Sequence, residues 1–88
     1  MKSVIVISPE DNVAIVLRDV AEGEQLDANG RMVVSAEDIS YTHKIALEDI
    51  AAGGEVIKYG ECIAIAAREI KKGEWVHVHN LVTDRAGA

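Results

Sequence analysis

A five-residue unit recurs three times in this chain: an acid, a β-branched aliphatic, two spacers and a glycine. The copies are Asp19-Val20-Ala21-Glu22-Gly23, Asp49-Ile50-Ala51-Ala52-Gly53 and Glu69-Ile70-Lys71-Lys72-Gly73, starting thirty and then twenty residues apart. An acid in that position can accept a bond from a backbone N–H two or three residues on, while the aliphatic turns inward. The glycine supplies a positive φ as the chain leaves. Aliphatic-rich runs precede each copy (Val13 to Leu17, Ile45 to Leu47, Ile63 to Ala67), and shorter runs containing Leu26, Val56-Ile57 or Trp75 to Val78 follow. The unit therefore reads as strand, one-turn corner, strand, and its repetition in register makes it architectural. On this reading the three acids are structural rather than catalytic.

Sustained helical periodicity is missing, and glycine or polar clusters interrupt the chain every eight to twelve residues, which is the pattern of an all-β fold. The segment Ile63 to Ile70 has helix formers in Ala, Arg and Glu, but the repeat requires a strand there. Asn29-Gly30, between Leu26 and Met32-Val33-Val34, is a two-residue hairpin signal. Eighty-eight residues fit one domain spanning 1–88, with a small polar tail, Thr83 to Ala88, expected to be loose. Aromatic residues make up 3% of the chain, so Val, Ile, Leu and Ala must fill the core. A core that thin offsets the ordering entropy narrowly, and association with a larger partner or with further copies is expected.

The formal net charge of −6 argues against nucleic acid, which needs a basic stripe. Val4 to Ile7 is too short for a signal core or a membrane span. A single cysteine, Cys62, can make no internal disulfide, which fits the cytoplasm. Polar residues not used by the corners fall into three groups: Tyr41-Thr42-His43-Lys44, Lys58-Tyr59-Gly60 and His77-Val78-His79-Asn80. On a strand, Trp75, His77 and His79 would share one face. Two imidazoles with His43 or Cys62 nearby lack a third metal ligand at diagnostic spacing. No nucleophile elbow or phosphate loop is present, so the chain is not expected to be an enzyme alone. Lys44, Lys58, His43, His77 and His79 can grip a carboxylate, hydroxyl-rich or sulfonate ligand. Read by themselves, they are equally a scattered set of solvated or interface side chains.

Across these groups the chain resembles the small SAF-type, or β-clip, domain of the altronate and galactarate dehydratase family. The resemblance is carried by Asp11-Asn12-Val13-Ala14 ahead of the first corner, and by His43-Lys44-Ile45-Ala46-Leu47 running into the second. It continues through Val56-Ile57-Lys58-Tyr59-Gly60-Glu61 and Gly73-Glu74-Trp75-Val76-His77-Val78-His79-Asn80, covering nearly the whole chain. The chain departs from the family's pattern at Ser40-Tyr41-Thr42, where Pro and Gly usually precede the His-Lys pair, and at Ala64, where Gly is common.

The resemblance implies an all-β domain of short strands joined by one-turn corners. In the family this domain is either fused ahead of a large catalytic region or made as a separate small subunit, and the alpha subunit of sulfolactate sulfo-lyase is similar. The family's reaction is a β-elimination from a 2-hydroxy acid, assisted by divalent iron or manganese held in the large part. The chain is thus expected to be the small subunit of a two-component sugar-acid hydro-lyase. It would bind no cofactor itself, dock on the large metal-bearing subunit, and contact a small hydroxy acid through His43, Lys44, Lys58, Tyr59, His77, His79 and Asn80. The alternatives are the alpha subunit of a sulfo-lyase, a free-standing sugar-acid binding module, or a domain that only helps assembly.

Overall fold

In the computed structural model, which describes residues 2–82, the recurring pentads are corners, and the described residues contain four of them rather than three. The additional one is Asp38-Ile39-Ser40-Tyr41-Thr42, in which Thr42 adopts φ 76 where the others have Gly23, Gly53 and Gly73 at φ 87, 82 and 92. All four close the same way, the residue after the pentad donating its N–H to the carbonyl of the third: Glu24 to Ala21, His43 to Ser40, Gly54 to Ala51 and Glu74 to Lys71. The corners pair off. Val20 and Ile39 exchange both backbone bonds at 2.8 Å, as do Ile50 and Ile70 at 2.7 and 2.8 Å.

This pairing corrects the expected role of the acids. Asp19 and Asp49 reach across to the facing corner, while Glu69 pairs with the Lys71 ammonium of its own corner. Asp19 accepts from the Tyr41 N–H at 2.9 Å, Asp38 from Glu22 at 2.9 Å, and Asp49 from Lys72 at 2.8 Å, each in the facing corner. The antiparallel bridge sets each of these acids opposite an unpaired N–H of its partner corner, which a side chain must satisfy. Local capping comes instead from the residue behind the glycine: Glu24 accepts from Ala21 and Glu74 from Lys71.

Among the described residues nine short strands join the corners: β1 (Val4–Ile5), β2 (Val13–Val16), β3 (Gln25–Ala28), β4 (Arg31–Val34), β5 (Lys44–Ala46), β6 (Glu55–Lys58), β7 (Glu61–Ala66), β8 (Trp75–Val76) and β9 (Leu81–Val82). A 3₁₀ turn, Val78–Asn80, precedes β9. Ile63 to Ala66 is strand, as the repeat requires, whereas the strand expected through Val78 stops at Val76. An antiparallel sheet in the order β1-β2-β5-β8 forms the centre, flanked by the hairpin β3-β4 and the sheet β6-β7-β9. Asn29 (φ 55) and Gly30 (φ 90) turn the first hairpin, while Tyr59 (φ 61) and Gly60 (φ 72) turn the second thirty residues on. In β7, Ile63 is one residue more than β6 can pair, because Val56 faces Ala64 and Ile57 faces Cys62.

Two apolar clusters follow the two halves. Val16, Val20, Leu26, Val33, Ile39 and Ile45 belong to one; Val13, Ala46, Ile50, Val56, Ile70 and Val76 belong to the other. Each such aliphatic contributes about 1.5–3 kcal/mol on full burial. Gly73 is the least replaceable glycine, since a Cβ there would stand 2.1 Å from the Val34 carbonyl oxygen. Buried Asp11 clamps the second hairpin by accepting the N–H groups of Ser8, Tyr59 and Gly60. Among the described residues no helix is long and apolar enough to cross a membrane. The tail expected to be loose, Thr83 to Ala88, lies outside the described residues.

Candidate functional site

Trp75 is the hub of the site. Its indole lies 5.2 Å from the His77 ring in a stacked arrangement (12°), 4.8 Å from His79 and 5.4 Å from His43, and His43 and His77 are 5.0 Å apart. The indole Nε1–H donates to His43 Nδ1 at 2.9 Å. Pairing of β5 with β8 makes this convergence possible: Ile45 faces Trp75 and Lys44 faces Val76, so the His43-Lys44 segment lies beside the Trp75–His79 segment.

The imidazoles of His77 and His79 do not reach Trp75 by strand alternation. The chain leaves β8 into the 3₁₀ turn, which Asn80 holds. Its buried carboxamide accepts the His77 N–H at 3.0 Å and donates to the Trp75 carbonyl at 2.8 Å. Asn80 thus enters the site through the backbone that carries the histidines, with its polar atoms engaged inside the fold. Glu37, from the loop ahead of the second corner, accepts the Trp75 N–H at 3.0 Å.

The lysines complete the patch. Half-buried Lys44 has its pKa lowered, first by desolvation and then by repulsion from Lys58. His77 is also held below the ordinary imidazole value, first by desolvation and then by His43, Lys44 and His79. Lys58 lies over the exposed Tyr59 ring, 4.7 Å from its centroid. Of the candidates read from the sequence, His43, Lys44, Lys58, His77 and His79 are therefore brought into one neighbourhood, with Tyr59 on its flank and Asn80 beneath. The ion pairs among the described residues, Arg18 with Glu24 and Lys71 with Glu69, leave Lys44 and Lys58 without a carboxylate partner.

Cations that repel one another on a chain of net charge −6, neither lysine in an ion pair among the described residues, make a surface that an anion relieves. The surface is open: His79 is exposed, and Val78 between the two histidines is 76% exposed. No three His, Cys, Asp or Glu side chains gather to hold a metal ion among the described residues. Of the groups that carry this geometry, Asn80 is among the site residues expected from the sequence, Trp75 is expected there only to share a strand face with His77 and His79, and Glu37 is not singled out at all. That strand face is not formed, since β8 ends at Val76, and nothing local to Glu37 foretells its bond.

Comparison with known proteins identifies the domain. A family model described as the altronate/galactarate dehydratase SAF domain matches residues 2–84. Altronate dehydratase of Bacillus subtilis is 44% identical over 84 residues, which cover 96% of this chain and 17% of that protein. Galactarate dehydratase (L-threo-forming) of Escherichia coli is 37% identical over 84 residues, covering 93% of this chain and 16% of that one. The chain thus spans about a sixth of the length of these dehydratases. By contrast, the alpha subunit of (2R)-sulfolactate sulfo-lyase from Chromohalobacter salexigens is 33% identical over 88 residues and is itself 94% covered.

Proposed function

We propose, given that this chain belongs to the altronate/galactarate dehydratase SAF domain family, that it is the small component of a two-component sugar-acid lyase of the cytoplasm. It docks on a large catalytic subunit, holds the hydroxy-acid substrate and closes the site. The observation that supports this most is the gathering of Lys44, Lys58, His43, His77 and His79 on one open surface with no acid paired to the lysines.

The chemistry assigns each group a task. Lys44 and Lys58 act as point charges for a substrate carboxylate, and the imidazoles hydrogen-bond the hydroxyl groups beside it. A divalent iron or manganese ion in the large subunit would supply Lewis-acid assistance to the elimination. This chain's share is to orient the acid and to exclude water, which strengthens every charge interaction in the closed site. An open cationic face rimmed by exposed Val78 and Tyr59 is half of such an enclosure. The relatives that carry this domain in one chain with the rest of a dehydratase, and the one in which it is nearly the whole of a subunit alpha, supply the model for that arrangement.

Turnover by the chain combined with its large subunit tests the reading, with altronate, galactarate and sulfolactate as substrates. His77→Ala and His79→Ala are expected to lower kcat/KM by about 10²-fold or more. Rate and substrate affinity unchanged in both variants would exclude an active-site role. Tight binding of aldonates or aldarates by the chain alone, with no effect on turnover, would instead favour a free-standing binding module.

A further inference from the structure

The bond between Trp75 and His43 has a chemical consequence. An indole N–H can donate but never accept, so the His43 nitrogen that it meets at 2.9 Å must present a lone pair. That nitrogen is Nδ1, and the one proton of the neutral ring then sits on Nε2. A hydroxyl or a water in the place of the indole would adapt to either tautomer; Trp75 admits only one.

Both ends of this bond are fixed from the backbone. His43 donates its N–H to Ser40 and accepts from Val16 through its carbonyl, at 3.0 and 2.9 Å. Trp75 is tied by Glu37 at its N–H and by Asn80 at its carbonyl. Its ring is further clamped by stacking on His77 and by packing against the cluster containing Val16 and Ile45.

We propose that Trp75 is a positioning residue whose indole N–H holds His43 as the Nε2–H tautomer, so that His43 serves the site as a hydrogen-bond donor to an oxygen of the bound acid. The proposal rests on the reading that this surface takes a hydroxy acid, and it divides the labour among the three histidines. His43 donates from Nε2, and proton acceptance falls to His77 or His79, which no indole N–H engages among the described residues.

Two-bond ¹⁵N–¹H correlation spectra of the labelled full chain at neutral pH read the tautomers directly. His43 is expected to show an unprotonated Nδ1 and a protonated Nε2. Trp75→Phe keeps an aromatic ring but removes the donor, and should lower the His43 Nε2–H to Nδ1–H ratio about fivefold, the factor a hydrogen bond of ordinary strength is worth. Replacing Trp75 by benzothienylalanine, with sulfur in place of the N–H, makes the same test should the phenylalanine variant unfold. Addition of galactarate to the complex with the large subunit should then shift the His43 Nε2–H proton. A wild-type His43 protonated at Nδ1, or a ratio unmoved by loss of the indole N–H, would overturn the positioning role. A His43 resonance indifferent to bound galactarate would overturn the donor role. The first two readings need no ligand, so they stand apart from the fate of the proposed function.

Discussion

At the scale of single residues, Lys44 sets stability against binding. Burial and the nearby Lys58 disfavour its charge in the fold. That penalty is present wherever the unfolded lysine is charged, and it vanishes only as pH rises past the ordinary lysine value of about 10.4. Lys44→Met, which keeps the apolar stem, is therefore expected to raise the melting temperature by about 2–6 °C while abolishing the response to sugar acids. A fall in Tm would show that the lysine is paired in a way this structure does not contain. His77 gives the matching pH dependence. Its folded pKa lies below the unfolded value, so it adds nothing to stability above about pH 6.5, where both states are neutral. As pH falls through that value the unfolded chain takes up the proton first, and stability drops until the lower folded value is passed. Thermal scans should show wild type losing more stability than His77→Asn between about pH 7 and pH 5, and bound aldarate should reduce the difference. Parallel curves would exclude a His77 pKa lowered in the fold by desolvation and by the neighbouring His43, Lys44 and His79.

At the scale of elements, the corner is the unit, and the second corner is the informative one. Thr42 adopts a left-handed conformation that costs a β-branched residue on the order of 1–3 kcal/mol, and it stands immediately before His43. Thr42→Gly is expected to stabilise the fold by about 0.5–1 kcal/mol, after allowance for the greater freedom of glycine in the unfolded chain. It should also loosen the His43 ring against Trp75. Chemical denaturation with tryptophan fluorescence reads both effects, and destabilisation would mean that the threonine side chain makes a compensating contact.

The same residue explains what could be read beforehand. Three corners were legible because glycine marks a positive φ. The fourth was hidden because Thr42 carries no such mark, although Asp38-Ile39 lies at nearly the same distance from Asp19-Val20 as Glu69-Ile70 does from Asp49-Ile50. Asn29-Gly30 announced its hairpin, whereas Tyr59-Gly60 did not, since its turn depends on the distant Asp11. The acids were legible as structural, but their bonds to facing corners depend on tertiary pairing that no local pattern encodes. His77 and His79 were placed on one face by an alternation that the structure does not use. Their true route to Trp75 runs through Asn80.

At the scale of the whole molecule, two bridged pairs of corners, each behind its own hairpin and apolar cluster, are joined through β5. β5 leaves the first half and pairs with β8 of the second, so the seam between halves is where His43 and Lys44 meet Trp75, His77 and His79. The site is a property of that seam and of neither half alone. The most direct test of the account is a titration of the isotopically labelled chain, combined with its large subunit, with galactarate. The account predicts that the side-chain resonances of His43, Lys44, Lys58, His77 and His79 move together and saturate at one concentration. Saturating binding of galactarate that left these five unmoved, or moved the imidazoles and the lysines at unrelated concentrations, would contradict it.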